Sequence, residues 1–240
     1  MSRTRAASQG RAELQIGLLN EGHLHASLKS LYATVRSEME ARVDGFVVDV
    51  LDEERVTEIQ TSSFASIAAK LRKLTSRRPV RLVYPIAVER WLVKLPRSGE
   101  TGTRRRRSPR RHGFEHVFAE LVSFPDLLGD PNFELELVAT REEEVRRFAD
   151  ERRTRRRRGW VVVERRLLEI VEGMLLTRPS DLLKLIPAGL PDPFDTADLA
   201  RTLAQPRWLA QRAAYCLRES GVTRVVGKRR NALVYSASPK

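Results

Sequence analysis

Hydrophobic positions in the first 95 residues repeat with two different periods. Leu24, Leu28, Leu31 and Val35 are three or four residues apart, which is typical of a helix that packs one face on a core. Runs of β-branched and aromatic residues, separated by polar turns, are typical of strands. In chain order the pattern predicts a helix over residues 14–35, hairpin strands over 43–51 and 55–61, a helix over 64–74 and strands over 80–84 and 88–95.

Residues 96–159 are more polar and more basic. The pattern there predicts, in order, an insertion loop rich in Gly, Ser, Pro and Arg over 96–113, a helical segment over 114–124 and an extended one over 133–138. From 141 to 159 the charge is too dense for a core. We therefore expect the arginine clusters over 104–111 and 152–158 to lie in solvated loops.

The pattern over residues 160–240 predicts a second domain. A short capped helix over 195–203 is followed by a longer one over 206–220 that ends before Gly221, and then by two strands around a basic tip over 227–231. Helix, turn, helix and hairpin is an order that resembles a winged helix. The division of the chain is then a disordered tail over 1–12, a first domain over 13–95, a basic extension over 96–159 and a winged-helix domain over 160–240.

Composition and charge narrow the class of protein. Of 240 residues, 41% are hydrophobic, which is enough for packed cores, but no apolar run approaches the length of about 20 residues that crosses a bilayer. The N-terminus lacks the apolar block of a secretory signal, and one cysteine excludes an intrachain disulfide. We expect a cytoplasmic, nucleoid-associated protein without a membrane partner. The net charge of +13 favours a polyanionic partner, and nucleic acid is the commonest.

Two carboxylates in the first hairpin carry the candidate chemistry. Asp44 precedes Glu58 by fourteen positions, so the hairpin can bring one beside the other. Alternate residues of a strand share a face, so Glu58 and Gln60 project together while the Ile59 side chain enters the core and leaves its carbonyl available. Carboxylates with water and a phosphate commonly hold Mg²⁺, so the set predicts a Mg²⁺ or Mn²⁺ site. Asp49 competes with Asp44 as ligand, because the two lie on opposite faces of the pleat and one of them faces Glu58.

These residues resemble the PD-(D/E)xK nuclease superfamily over roughly residues 14–90. The resemblance implies an α/β (α+β) restriction-endonuclease-like fold with a core of order αβββαβ. By position it makes Asp44, Glu58 and the Ile59 carbonyl the metal ligands, and Glu21 the acid supplied by the first helix.

Gln60 stands where that superfamily usually has lysine. An amide cannot supply the positive field that a lysine offers to a transition state. Some members with Gln at this place receive a lysine from the following helix, and Lys70 is the candidate here. The alternative for Lys70 is a surface side chain whose stem covers the core.

The resemblance to a winged helix implies a second set of contacts. The longer helix would enter the major groove and the hairpin tip would touch phosphates. The implied DNA contacts are Arg207, Gln211, Arg212, Lys228, Arg229 and Arg230. The alternative is a winged helix used for protein contacts or dimerisation.

Other reactive or aromatic residues are expected to be structural. His23 and His25 have no matching Cys or His cluster elsewhere, which argues against a role as ligands. Cys216 is expected to be a small core residue. We expect core or interface rings, not base-stacking platforms, at Trp91, Trp160 and Trp208.

The sequence thus favours a Mg²⁺-dependent deoxyribonuclease, an endonuclease-like phosphodiester hydrolase that a winged helix delivers to DNA. A homodimer would suit the cutting of both strands. The alternative is a DNA-binding regulator whose nuclease-like fold has lost its chemistry. A third class, a ribosome- or RNA-associated basic protein, fits the charge but not the acidic hairpin.

Overall fold

The computed structural model describes residues 22–97, 101–148 and 159–238. Glu21, the tail over 1–12 and the arginine cluster over 152–158 lie outside the described residues. The helices and strands are, in chain order, α1 His23–Tyr32, β1 Glu38–Val43, β2 Phe46–Leu51, β3 Val56–Ile59, α2 Ala68–Thr75, β4 Val80–Lys94, β5 Arg104–Arg107, α3 Phe118–Leu121, β6 Phe133–Phe148, β7 Trp160–Leu176, β8 Phe194–Asp195, α4 Thr196–Leu203, α5 Arg207–Glu219, β9 Thr223–Arg229 and β10 Ala232–Ala237.

A large mixed sheet organises the chain up to β7. Its strands lie in the order β1-β2-β3-β4-β6-β7, and β5 pairs with the far end of β4. The pairs β1/β2, β2/β3 and β6/β7 are antiparallel, while β3/β4 and β4/β6 are parallel. The α2 helix supplies the crossover that parallel β3 and β4 need. With several helices on this sheet, the fold is of the α+β class.

Helices cover both faces of the sheet. On one face Leu24 and Leu28 of α1 pack with Ile59 and other strand residues in a small core cluster. On the other face Leu71 and Leu74 of α2 join a much larger cluster. All four leucines are at most 2% exposed, so truncating any of them to alanine would cost roughly 2–5 kcal/mol. The helical spacing of the apolar residues therefore predicted both helices correctly, although α1 ends at Tyr32 and not at Val35.

The first predicted strand is in fact two strands. The run over 43–51 is divided by a two-residue turn at Asp44 and Gly45, both of which have positive φ, 51° and 84°. An Asp-Gly pair suits this turn because both central residues of a type I′ hairpin need positive φ. The turn creates β1 from residues that showed no clear strand pattern, and the order becomes helix, three strands, helix, strand.

The two strands predicted over 80–84 and 88–95 are a single strand, β4. Pro85 was expected to end the first of them. Instead β3 stops opposite Val83, so β4 has lost one neighbour just before Pro85, and a residue without a backbone N–H is tolerated there. An irregularity in the register between Ala87 and Glu89 follows.

The domain boundary predicted at residue 160 is wrong. β7 pairs with β6 along almost its whole length and forms an edge of the large sheet. Residues 141–148, the described part of the charged run after 141, also belong to that sheet. Glu142 is fully buried there, and Arg90 and Arg165, which lie 3.2 and 2.8 Å from its carboxylate, compensate its charge. Arg104–Arg107, expected in a loop, form strand β5 with exposed side chains.

The C-terminal elements follow the predicted order. Asp195 caps α4 in a reciprocal capping box with Asp198, and β8, β10 and β9 form a small three-stranded sheet. Ala213 and Ala214 of α5 lie in the same core cluster as the large sheet's residues. Cys216 is buried, as predicted, and burial raises the pKa of its thiol to about 12.

Across the described ranges, the helices are too short or too polar to span a bilayer.

Candidate active site at the fork between β2 and β3

The strands β2 and β3 separate at the position of two carboxylates. Their ladder contains only the pairs Val50–Thr57 and Leu51–Val56. Asp49 and Glu58 would form the next pair outward, and there the strands form a fork. Asp49 Oδ2 accepts a hydrogen bond from the Ile59 amide at 2.8 Å, so a side chain spans the gap where the backbone ladder stops.

A local distortion accompanies the fork. Glu40 of β1, which lies between the paired residues Met39 and Ala41 and so on the β1 side of Asp49, has a φ of 56°. Val48 and Val50 flank Asp49 and belong to different core clusters, although residues two apart in a regular strand share a face. The chain is therefore twisted at Asp49, and strain of this kind is typical of functional sites.

The α1 helix places two side chains at or beside the fork, His25 and Lys29. His25 Nε2 lies 3.2 Å from Asp49 Oδ2, and Lys29, one turn later, donates to Glu40 Oε1 at 2.9 Å. The pKa of Asp49 is lowered from its ordinary value. Burial alone would raise that pKa, but the hydrogen bond and charge of His25, the Ile59 amide and the Lys70 charge outweigh burial. Asp49 is therefore an ionised carboxylate at neutral pH.

The α2 helix contributes the second cation. Lys70 Nζ donates to Glu58 Oε2 and to the Val47 carbonyl, both at 2.6 Å. Glu58 is 4% exposed, and burial raises the pKa of its carboxyl to about 7, aided by the Asp49 charge and opposed by Lys70. Its other oxygen, Oε1, is buried and has no hydrogen-bond partner among the described residues.

Asp44 is not at this site, which corrects the sequence prediction. It lies in the turn between β1 and β2, where Arg77 Nη1 is 2.5 Å from its carboxylate. Five positions along the chain separate it from Asp49, which at about 3.3 Å per residue corresponds to at most about 16 Å. Of the two aspartates that could face Glu58, the structure places Asp49 there, because continuing the β2–β3 register by one pair brings Asp49 opposite Glu58.

Gln60 also differs from its expected placement. Its Nε2 donates to the Ser63 carbonyl at 2.8 Å and to Ser66 Oγ at 2.9 Å, so the amide holds the loop between β3 and α2. The Ile59 side chain is in the core as expected. Glu58 and Lys70 are the predicted catalytic residues that the structure brings together, and they lie beside Ile59. Asp49 joins them at the fork.

His25 is the site residue that the sequence argument set aside. Without a Cys or His cluster in the sequence, it had no visible partner, because its partner is a strand aspartate 24 residues away. The available signal was the helical spacing. His25 and Lys29 are four residues apart beside the buried Leu24 and Leu28, so they border the face that packs on the sheet.

The fork offers oxygen donors that suit a hard divalent ion. Among the described residues, no group of three or more His, Cys, Asp or Glu forms a metal cage. Mg²⁺, however, is commonly held by one or two carboxylates with waters and a substrate phosphate. Asp49 and Glu58 supply those carboxylates, and Glu58 Oε1, without a hydrogen-bond partner in the described part of the chain, is a buried acceptor that a cation would satisfy. The donor set therefore fits Mg²⁺ or Mn²⁺.

The predicted DNA contacts of the C-terminal region fall into two groups. Arg229 Nη1 binds Asp195 and Asp198 at 3.2 and 3.1 Å, and Arg212 Nη1 donates to the Ala119 carbonyl at 2.5 Å, so both arginines have structural partners. The remaining predicted contacts are exposed on the outer face of α5 or at the tip of the β9–β10 hairpin: Arg207, Gln211, Lys228 and Arg230.

The tryptophans are not core rings. Trp208 is 48% exposed, and Trp91 and Trp160 are half-buried. An Arg105 guanidinium lies 4.0 Å from the centre of the Trp91 ring, and Lys94 Nζ lies 4.4 Å from that of Trp160.

Comparisons with known proteins cover the region that contains the fork. A Treponema pallidum (strain Nichols) protein described as uncharacterized is 28% identical over 230 residues, which span 94% of this chain and 89% of that protein. No solved structure matches. Residues 22–177, from the start of α1 to the end of β7, match the family model described as a domain of unknown function (DUF8091). That match covers well over half of the chain, and the chain therefore belongs to the DUF8091 family.

Proposed function

We propose that this protein is a metal-dependent nuclease that hydrolyses phosphodiesters of DNA at the fork between β2 and β3. The observation that carries the proposal is the contact of Lys70 Nζ with Glu58 Oε2 at 2.6 Å, across from an ionised Asp49. Two acids and one lysine converge there at the end of a broken strand pair. This combination suits phosphodiester hydrolysis, because charge develops on the phosphate oxygens and on the leaving oxygen.

The order of the elements around the fork supports the same function. Helix, three strands, helix and strand, with β3 parallel to β4, is the order expected of a restriction-endonuclease-like core. Asp49 and Glu58 take the places of the two acids of the PD-(D/E)xK pattern. Lys70, from the helix that follows, takes the place of the lysine that Gln60 replaces.

Each residue has a role that follows from its contacts. Asp49 and Glu58 would hold Mg²⁺ or Mn²⁺, which when bound activates water and neutralises the leaving oxyanion. His25 and the Ile59 amide fix the orientation of the Asp49 carboxylate. Lys70, anchored on the Val47 carbonyl, places a positive charge at the fork where the transition state gains negative charge.

The C-terminal region would deliver the fork to DNA. We assign it as a winged helix, on the order β8, α4, α5, β9 and β10 and on the small sheet that the strands form. The exposed Arg207 and Gln211 of α5 would read the groove, and Lys228 and Arg230 would contact phosphates.

A plasmid-nicking assay with Mn²⁺ tests the nuclease. Wild type should nick supercoiled DNA, whereas Asp49→Asn and Glu58→Gln should each lose at least about a hundredfold in rate, as is usual when a charged group that acts in the transition state is removed. Asp44→Asn is the matched control, because it changes the same chemical group in the same hairpin and should nick as wild type does. Equal nicking by all four proteins would indicate a contaminant and would refute the site.

Calorimetry of Mn²⁺ binding separates the nuclease from the inactive regulator. The regulator would bind DNA through its C-terminal region without needing a metal at the fork. Wild type should bind Mn²⁺ and Glu58→Gln should not. Negligible binding by both proteins, with DNA affinity intact, would favour the regulator.

A further inference from the structure

A second concave surface lies at the far end of the long strands. β4, β5 and the start of β7 enclose a cleft of about 600 Å³, here called the basic cleft. Its described lining contains five cations and no carboxylate. Those cations are Lys94, Arg97, Arg104, Arg105 and Arg106, and the Trp160 ring closes one side.

The cations of β5 divide by strand alternation. Arg105 lies 2.9 Å from Glu143, and Arg107 is paired with Glu89, so this face of β5 is neutralised. Arg104 and Arg106 alternate with them, are exposed, and have no carboxylate partner among the described residues. Concentrated positive charge in a concave site attracts a polyanion more strongly than the same charge spread over a surface.

Aromatic rings border the same charges. Trp160 and Phe148 meet edge to face with centroids 5.6 Å apart. Lys94 Nζ lies 4.4 Å from the Trp160 centroid, and the Arg97 guanidinium lies 4.1 Å from that of Phe148. Half-buried rings next to cations are the elements with which proteins hold single-stranded nucleic acid, because bases stack on the rings while phosphates meet the cations. A duplex does not offer such bases, since its own stack encloses them.

The position of the cleft relates it to the fork. Val83 of β4 lies opposite Ile59, and Lys94 is eleven residues further along the same strand. At about 3.3 Å per residue the two points are about 35 Å apart. This is about one turn of duplex DNA, or roughly ten nucleotides of a strand.

We infer that the basic cleft binds a single-stranded segment of DNA about ten nucleotides away from the phosphodiester presented to the fork. Binding in the cleft stands on its own geometry, and the spacing to the scissile bond rests on the proposed nuclease function. The substrate class is then DNA with a single-stranded region, such as a flap, a gap or an unpaired end.

Fluorescence anisotropy of a labelled oligothymidylate of about 20 nucleotides, measured in EDTA, tests the cleft without cleavage. The test variant is Arg104→Gln with Arg106→Gln. The matched control is Arg36→Gln with Arg42→Gln, which removes the same charge from exposed positions in and before β1, at the opposite edge of the sheet. The cleft variant should lose about tenfold or more in affinity, and the slope of log affinity against log salt should fall by about 1.4 for two lost contacts. The control should change less than about twofold.

A second variant tests stacking. Trp160→Leu keeps an apolar side chain and all the charge, and it should weaken oligothymidylate binding by about tenfold without changing the salt slope. Circular dichroism of each variant should match wild type. Equal losses in cleft variant and control, or tight binding by Trp160→Leu, would overturn the inference.

The two proposals fail separately. Wild type should bind the oligonucleotide in EDTA, whatever the nicking assay gives. Nicking by wild type without selective loss in the cleft variants refutes the cleft alone. Selective binding without any nicking refutes the nuclease alone.

Discussion

Asp49 Oδ2 accepts a hydrogen bond from the backbone amide of Ile59 at 2.8 Å, across the point where β2 and β3 separate. A side chain thus replaces the next rung of the ladder. This keeps the fork open and leaves Glu58, the residue before Ile59, beside an ionised carboxylate.

The contact between Lys70 and Glu58 should be energetically coupled. Lys70→Met would leave the buried Glu58 carboxylate without its cation and should lower the free energy of unfolding by about 2–3 kcal/mol. Glu58→Gln combined with Lys70→Met should cost less than the sum of the two single changes, because the double variant leaves no unpaired charge in the buried site. Urea denaturation of the four proteins measures the coupling. An additive result would mean that the pair does not interact in solution.

Glu58 should make the metal-free protein more stable as the pH falls towards 5. Its pKa is about 7 in the folded state and 4.5 in a model compound, so between these values the folded state binds more protons. The resulting stabilisation is fully present below about pH 4.5 and is lost as the pH rises through 7, at up to about 1.4 kcal/mol per unit of pKa difference.

Urea midpoints in EDTA at about pH 5 and about pH 8 measure this effect. Other groups, such as Asp49, titrate in the opposite sense, so the informative quantity is the difference between wild type and Glu58→Gln. Glu58→Gln should be the more stable protein at the higher pH, and the gap should close at the lower one. A gap that does not depend on pH would contradict the raised pKa.

Adjacent arginines of the β9–β10 hairpin should have different roles. Arg229→Gln removes the contacts with Asp195 and Asp198 at the N-terminus of α4 and should lower stability by about 1 kcal/mol. Arg230→Gln should change stability by less than about 0.5 kcal/mol and should weaken duplex DNA binding instead. Thermal melts and anisotropy on the two variants measure these effects. The prediction would be contradicted if Arg230→Gln were the destabilising change.

The buried Glu142 should make Arg165 a stability residue. Arg165 Nη2 lies 2.8 Å from the fully buried carboxylate, and Nη1 donates to the Thr61 carbonyl just after Gln60. Arg165→Met should lower the free energy of unfolding by roughly 3 kcal/mol, because it leaves a buried charge undercompensated. Arg166→Met is the control, since its side chain is 51% exposed, and it should cost less than about 1 kcal/mol. Similar losses for both would show that Glu142 relies on Arg90 instead.

Local patterns in the sequence anticipated the elements that depend on short-range physics. The helical spacing of Leu24 and Leu28 gave α1, and the capping residues around 195–203 gave α4. Sequence patterns gave the wrong element where a neighbouring strand determines the local structure. Pro85 looked like a strand end, and only the loss of β3 beside it makes a continuous β4 acceptable.

Within the site, the sequence by itself determined which chemical groups were available and that a hairpin would bring two acids near each other. Glu58 and Ile59 followed from strand alternation, whereas Lys70 was proposed from the resemblance to the nuclease superfamily. The turn at Asp44 and Gly45 moved the register of β2, so Asp49 faces Glu58 in place of Asp44. His25 joined them because α1 packs across that face of the sheet. Periods of two and of 3.6 residues fix which side a residue faces within its own element, whereas the pairing of elements is set by cooperative burial across the whole core, and no single segment encodes it.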